Sequence, residues 1–148
     1  MKTKTAFLAL LALVIMGCNA TKNVTTESSE NTITEKYWKL TLLDGKKVTM
    51  AANQEREIFF TLKTDSNKVT GFSGCNTFSG EYTIEDGNRI RFKNMAVTMM
   101  ACPDVAVNEG SFLEVFELTD NYTIVNDVLS LNIGRRAPLA VFEAVYMN

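Results

Sequence analysis

Residues 74–82 read Gly74-Cys75-Asn76-Thr77-Phe78-Ser79-Gly80-Glu81-Tyr82. Small and turn-forming residues surround a cysteine. An alternation follows that puts Phe78, Tyr82 and then Ile84 on one face, with Gly80 between the aromatics. Period-two alternation predicts a half-buried strand. Asp86-Gly87-Asn88 has the composition of a hairpin turn, and Arg89-Ile90-Arg91-Phe92 then alternates charge with apolar side chains. The same rhythm recurs on both sides. Upstream, 37–43 runs into Asp44-Gly45, 57–63 runs into Thr64-Asp65-Ser66-Asn67, and 68–72 returns. Downstream, 95–100, 122–125, 128–133 and 139–145 are strand candidates, with turns at Asn126-Asp127 and 134–138. Only 104–118 breaks the pattern. Phe112, Leu113 and Phe116 recur there at helical spacing, with Glu109, Glu114 and Glu117 mostly opposite, which predicts one short amphipathic helix. Asp104 or Asn108 is placed to cap it. The expectation is a mainly β domain with one short α-helix, a small antiparallel β-barrel. Closure removes the exposed strand edges that invite aggregation.

The N-terminus stands apart. Lys2 and Lys4 flank the start of an eleven-residue apolar run, AFLALLALVIM, at 6–16. A helix spanning the hydrocarbon core needs about 20 residues, so this run has instead the length of a signal-peptide hydrophobic region. It ends at Ile15-Met16-Gly17-Cys18, which resembles a bacterial lipoprotein signal, where a small residue precedes a cysteine that becomes acylated. Residues 1–17 then read as a lipoprotein signal peptide and Cys18 as the lipidation site. Each buried methylene of an acyl chain contributes about 0.8 kcal/mol to membrane affinity. Residues 18–36 continue as a flexible tether rich in Thr, Ser, Asn and Glu and too poor in apolar side chains to fold alone. Residues 37–148 remain as one domain. Asn19, following the cysteine, resembles the sorting context of outer-membrane cargo. The expected location is the cell envelope, lipid-anchored at the outer membrane and facing the periplasm.

Fifteen basic and seventeen acidic side chains leave a net charge of −2, and histidine is absent. A mildly acidic domain lacks the electrostatic footprint of a nucleic-acid binder, so no nucleic-acid partner is expected. The charge and histidine count also bear on Cys75. A metal site is disfavoured because no CxxC pair or imidazole accompanies it, and no metal or other cofactor is expected. A thiolate nucleophile normally needs a neighbouring base, and no imidazole can serve. With Cys18 committed to lipid, Cys75 and Cys102 remain as a pair in an oxidising compartment. We expect them to form a disulfide, which contributes about 3–4 kcal/mol by closing a loop of about 27 residues.

GCNTFSGEY, followed by Thr98-Met99-Met100-Ala101-Cys102, resembles the paired motifs of the META domain, as in HslJ-like bacterial envelope proteins. Trp38, Glu109 ahead of Phe112, and Leu129-Ser130-Leu131 also lie where that family has them. Met99 stands where relatives often carry a basic residue. The resemblance implies a small β-barrel-like fold with one helix, and an envelope location. It also links the chain to heat-shock response, novobiocin resistance, or secretion and virulence. It defines no chemical activity. The motif positions it singles out are Gly74, Asn76, Phe78, Gly80, Tyr82, Thr98, Met100 and Ala101, with structural or binding roles.

The residue types support binding more than chemistry. Asn76, Thr77 and Ser79 suit either a ligand site or turn hydrogen bonds. Gly71, Gly74 and Gly80 suit close backbone approach and strand bending. Trp38 is expected in the core or plugging a barrel end. Glu81 and Asp86 form an imaginable glycosidase pair, but such a pair needs a cleft and a fixed separation that no pattern indicates. The expected function is non-catalytic. A lipid-anchored binding or structural module would meet an envelope protein partner of unknown identity, in stress or antibiotic tolerance. The alternative is a small apolar ligand held in the barrel interior.

Overall fold

The computed structural model describes residues 31–52, 54–102, 105 and 107–146. The signal peptide, Cys18, the tether as far as residue 30, and Asp104 lie outside the described residues. The elements are β1 (Tyr37–Leu43), β2 (Lys46–Lys47), β3 (Phe59–Lys63), β4 (Lys68–Phe72), β5 (Thr77–Glu85), β6 (Arg89–Val97), α1 (Glu109–Leu118), β7 (Asn121–Val125), β8 (Val128–Asn132) and β9 (Ala140–Val145). Eight strands close an antiparallel barrel in the order β1-β3-β4-β5-β6-β7-β8-β9, with β9 pairing back onto β1. Two-residue β2 adds to β1 through Leu42 and Leu43.

The hairpins follow their turn chemistry. Asp44 and Gly45, and Asn126 and Asp127, all adopt positive φ, as the tightest hairpin turns require. The seam between β6 and β7 is thin, with Arg89 paired to Asn121. Helix α1 lies between these strands in sequence and packs against β6. It starts at Glu109, later than the periodicity suggested. Of the two expected caps, Asn108 takes the role, accepting from the Ser111 N–H at 3.0 Å.

Alternate residues of every long strand turn inward, and α1 adds Phe112, Val115 and Phe116 to the same interior. Phe116 sits at its centre. Its ring lies 5.4 Å from Phe60, 5.0 Å from Phe78, 5.0 Å from Phe92 and 5.4 Å from Phe112, mostly edge to face. Trp38 is fully buried, as expected, and donates its indole N–H to the Ile33 carbonyl at 2.7 Å. Side chains fill this barrel as they fill other small barrels.

Three readings from the sequence are corrected. Ile84 continues the inward face in pattern, but β4 pairs with β5 only as far as Glu81, so Ile84 has a strand on one side alone and its side chain is 41% exposed. The candidates at 89–92 and 95–100 are one strand, β6, ending at Val97. Two residues of β6, Asn94 and Met95, stand opposite Gly80 in a β-bulge, with Asn94 at φ 53°. Tether composition also ran too far. Ile33 is 2% exposed and belongs to the core. The segment from residue 31 is therefore part of the domain rather than a linker.

Glu35 fixes that segment. It adopts φ 58°, its N–H donates to the Leu62 carbonyl at 2.9 Å, and its carboxylate accepts from Lys63 and from the Thr64 N–H and hydroxyl at 2.8–3.0 Å. The Lys63 and Thr64 hydrogen bonds hold the carboxyl down from 4.5 to about 2. A depressed folded-state value stabilises the native chain fully above the unfolded value and loses that contribution as pH falls through the folded one. The Glu35 carboxyl carbon is therefore expected to titrate near pH 2, and Glu35→Gln to flatten the loss of stability between pH 4.5 and 2. A titration near 4.5 would show that the clamp is absent in solution.

Gly71 shows how tightly the wall is built. It pairs with Phe60 on one side and Phe78 on the other. A methyl group there would collide with the Phe59 carbonyl oxygen and the Phe78 ring. Gly71→Ala is expected to cost about 1–3 kcal/mol through overpacking, read as a lower urea midpoint at unchanged slope.

Candidate functional site

The first motif forms the β4–β5 connection. The Ser73 N–H donates to the Asn76 carbonyl at 2.9 Å, closing a tight loop over residues 73–76. Gly74 takes φ 103° within it, a value L side chains rarely adopt, and lies over Ile58. The loop turns the Asn76 side chain inward, where it is 3% exposed.

Asn76 spends its full hydrogen-bonding capacity. Its Nδ2 donates to the Met100 carbonyl at 3.2 Å and to Glu109 Oε2 at 2.8 Å. Its Oδ1 accepts from the Met100 N–H at 2.7 Å and from the Thr98 hydroxyl at 2.9 Å. The Ser73 hydroxyl donates to the other oxygen of Glu109 and accepts from the Asn76 N–H. One buried amide thus ties three pieces together: the β4–β5 loop, the strap at 98–102 and the start of α1. Glu109 also places a negative charge in the first turn of α1, where the helix dipole favours it. Reciprocal bonds between Thr77 and Thr98 carry the β5–β6 pairing into the strap.

The disulfide Cys75–Cys102 closes the same strap, with Cα atoms 5.7 Å apart. Cys75 is buried and Cys102 exposed. A cleft of about 750 Å³ opens beside this bond. Gly74, Cys75 and Phe72 form one wall, and Thr98, Met100, Ala101, Cys102 and Val105 another. Gln54, Glu55 and Arg56, from the segment before β3, complete the rim.

Arg56 belongs to an aromatic stack on the outer surface. Its guanidinium lies 4.3 Å from the centre of the Phe72 ring and 5.7 Å from that of Phe59. Phe59 stacks in turn on Tyr37 at 4.2 Å. Burial pushes the Tyr37 hydroxyl up to about 12, the nearby Glu57 adding to the effect and Arg56 opposing it.

The motif positions therefore divide. Gly74, Thr98, Met100 and Ala101 line the cleft, and Asn76 braces it from behind. Phe78 points into the aromatic core, and Gly80 lies under the Met95 sulfur at the bulge. Tyr82 is buried on the same inner face, with its hydroxyl donating to the Lys63 carbonyl at 3.3 Å and its pKa raised by burial. Neither Glu81 nor Asp86 lines the cleft, and Glu81 accepts from Asn94 at 3.0 Å. Arg56, Phe72 and Glu55 were not singled out from the sequence, whereas Val105, which the helical spacing puts near the apolar face of the helix, precedes α1 and lines the cleft. Arg56 sits in the charged run Glu55-Arg56-Glu57, which reads as a solvated face. Among the described residues no cluster of His, Cys, Asp or Glu is arranged to hold a metal ion, and no helix is long and apolar enough to cross a membrane.

A closed eight-stranded barrel plugged by one helix, with a motif network bracing a disulfide-edged cleft, defines a small all-β domain built around its signature residues. The chain matches the model of the META domain over residues 31–146 and belongs to that family. It is similar to an NMR structure of a protein from Burkholderia xenovorans, with a TM-score of 0.62 and 25% sequence identity over 78% of this chain and 85% of that one. Comparison with curated proteins gave no match.

Proposed function

We propose that this chain is an HslJ-like, lipid-anchored envelope protein whose META domain binds a partner and performs no chemistry. Its binding surface is the cleft beside Cys75–Cys102 together with the methionine rim of the strap. One observation carries this reading: Met99 is 97% exposed and Met100 61% exposed, beside a concave site with apolar walls. Large apolar side chains held in water around a cleft mark an interaction surface. Burying them would not help this domain fold, because the Asn76 network fixes the strap in the exposed position. Acylation of Cys18 and a tether up to residue 30 would hold the domain near the outer membrane, facing the periplasm. Envelope stress and novobiocin-type tolerance are the settings we assign, from the family's associations.

Photo-cross-linking in living cells tests this reading. A probe at Met99 is expected to capture one recurrent envelope partner, and a probe at Arg135, in the β8–β9 turn, to capture none. Equal capture at both positions, or none at Met99, would overturn it. The anchor is tested separately: Cys18→Ser is expected to move the protein from the membrane fraction to the soluble fraction.

A second reading, binding of a small molecule, is favoured by the size of the cleft. About 750 Å³ lies within the ordinary range for small-molecule sites. Among the described residues, Phe60, Phe78, Phe112, Phe116 and Phe142 pack against one another and fill the barrel interior. A small ligand therefore belongs outside the barrel, not within it.

A further inference from the structure

We propose that the cleft takes a small molecule with an apolar body and a single carboxylate head, the head pairing with Arg56. This rests on reading the cleft as the binding site.

The walls set the body. Phe72, Met100, Ala101, Val105 and the disulfide present carbon and sulfur to the space between them. Two of the polar side chains that line it are already engaged. The Thr98 hydroxyl donates to Asn76, and the Gln54 side chain is held by the Ala51 N–H at 3.3 Å and the Arg56 carbonyl at 2.7 Å.

Arg56 sets the head. Among the described residues its guanidinium makes ring contacts with Phe72 and Phe59 and neither an ion pair nor a hydrogen bond. A guanidinium carries five N–H donors in a planar fork. Stacking on Phe72 uses its face and leaves its edge available. That edge matches a carboxylate in two parallel hydrogen bonds. The stack also restrains a long side chain in advance, so less conformational freedom is lost when the ligand arrives. Glu55 stands exposed on the same rim and has no such ring support. It opposes a second anionic group, which limits the head to one charge.

Three ligands of equal chain length separate the possibilities: octanoate, octanol and octylammonium, each titrated into the ¹⁵N-labelled full chain. Octanoate is expected to move the amide signals of Gly74, Thr77, Thr98 and Ala101 and the Arg56 side-chain signal. It should bind about tenfold more tightly than octanol, as a charge-assisted hydrogen bond predicts. Arg56→Gln, at an exposed position, should abolish that preference, so that octanoate and octanol bind the variant alike. Equal affinity for octanoate and octanol would overturn the head-group assignment while the cleft stands as an apolar site. Preference for octylammonium would overturn it in favour of Glu55. Binding to phosphatidylglycerol vesicles without a response to octanoate would overturn it in favour of a membrane surface. No shift at these amides with any ligand would remove both this proposal and the cleft as the binding site.

Discussion

Asn76→Ala is expected to destabilise the domain by about 3–4 kcal/mol. The substitution leaves the Met100 N–H and carbonyl, the Thr98 hydroxyl and one oxygen of Glu109 without the partner they have now. Each buried polar group left unpaired costs about 1–3 kcal/mol, and water reaches some of them at this partly open edge. Three segments lose their common tie, so the cost exceeds that of one hydrogen bond. The measurement is urea unfolding followed by the fluorescence of Trp38. Ser79→Ala, an exposed position in the same motif, provides the contrast and should change stability by less than about 0.5 kcal/mol. Were Asn76 a ligand contact with no structural role, the two variants would unfold alike.

The paired substitution Cys75→Ser with Cys102→Ser is expected to cost about 3–4 kcal/mol, the loop-closure contribution for a separation of 27 residues. It also acts locally. The strap at 98–102 would keep its hydrogen bonds to Asn76 and Thr77 but lose its covalent end. Faster amide exchange is therefore expected at Met100 and Ala101, with the barrel strands changed only by the global loss of stability. Treating the unsubstituted protein with a reducing agent should reproduce both effects. A loss below about 1 kcal/mol would mean that the network alone sets the strap, and that the bond contributes little beyond it.

The limits of the sequence reading have physical causes. Strands were legible wherever one face is buried and the other wet, as at Tyr37–Leu43 and Lys68–Phe72. The pattern misled where an alternating strand outran its neighbour β4, as at Ile84, and where a bulge shifted the phase within β6. Ile33 was lost in polar surroundings because one apolar residue makes no period. The disulfide followed from counting thiols. The hub role of Asn76 did not follow, because its partners Met100 and Glu109 lie 24 and 33 residues away. Arg56 was hidden for a related reason. What distinguishes it is the ring beneath it, and Phe72 reaches that place only through the β3–β4 pairing.

Binding in the outer cleft should leave the barrel interior undisturbed. Two methionines report on the two places. Met100 lines the cleft, and Met95 packs against the core over Gly80. The full chain labelled with ¹³C at the methionine methyl groups would be mixed with a detergent extract of the envelope. The Met100 methyl signal is expected to move, with that of the neighbouring Met99, while Met95 stays in place. Movement of Met95 with Met100 unchanged would contradict it and return the site to the barrel interior.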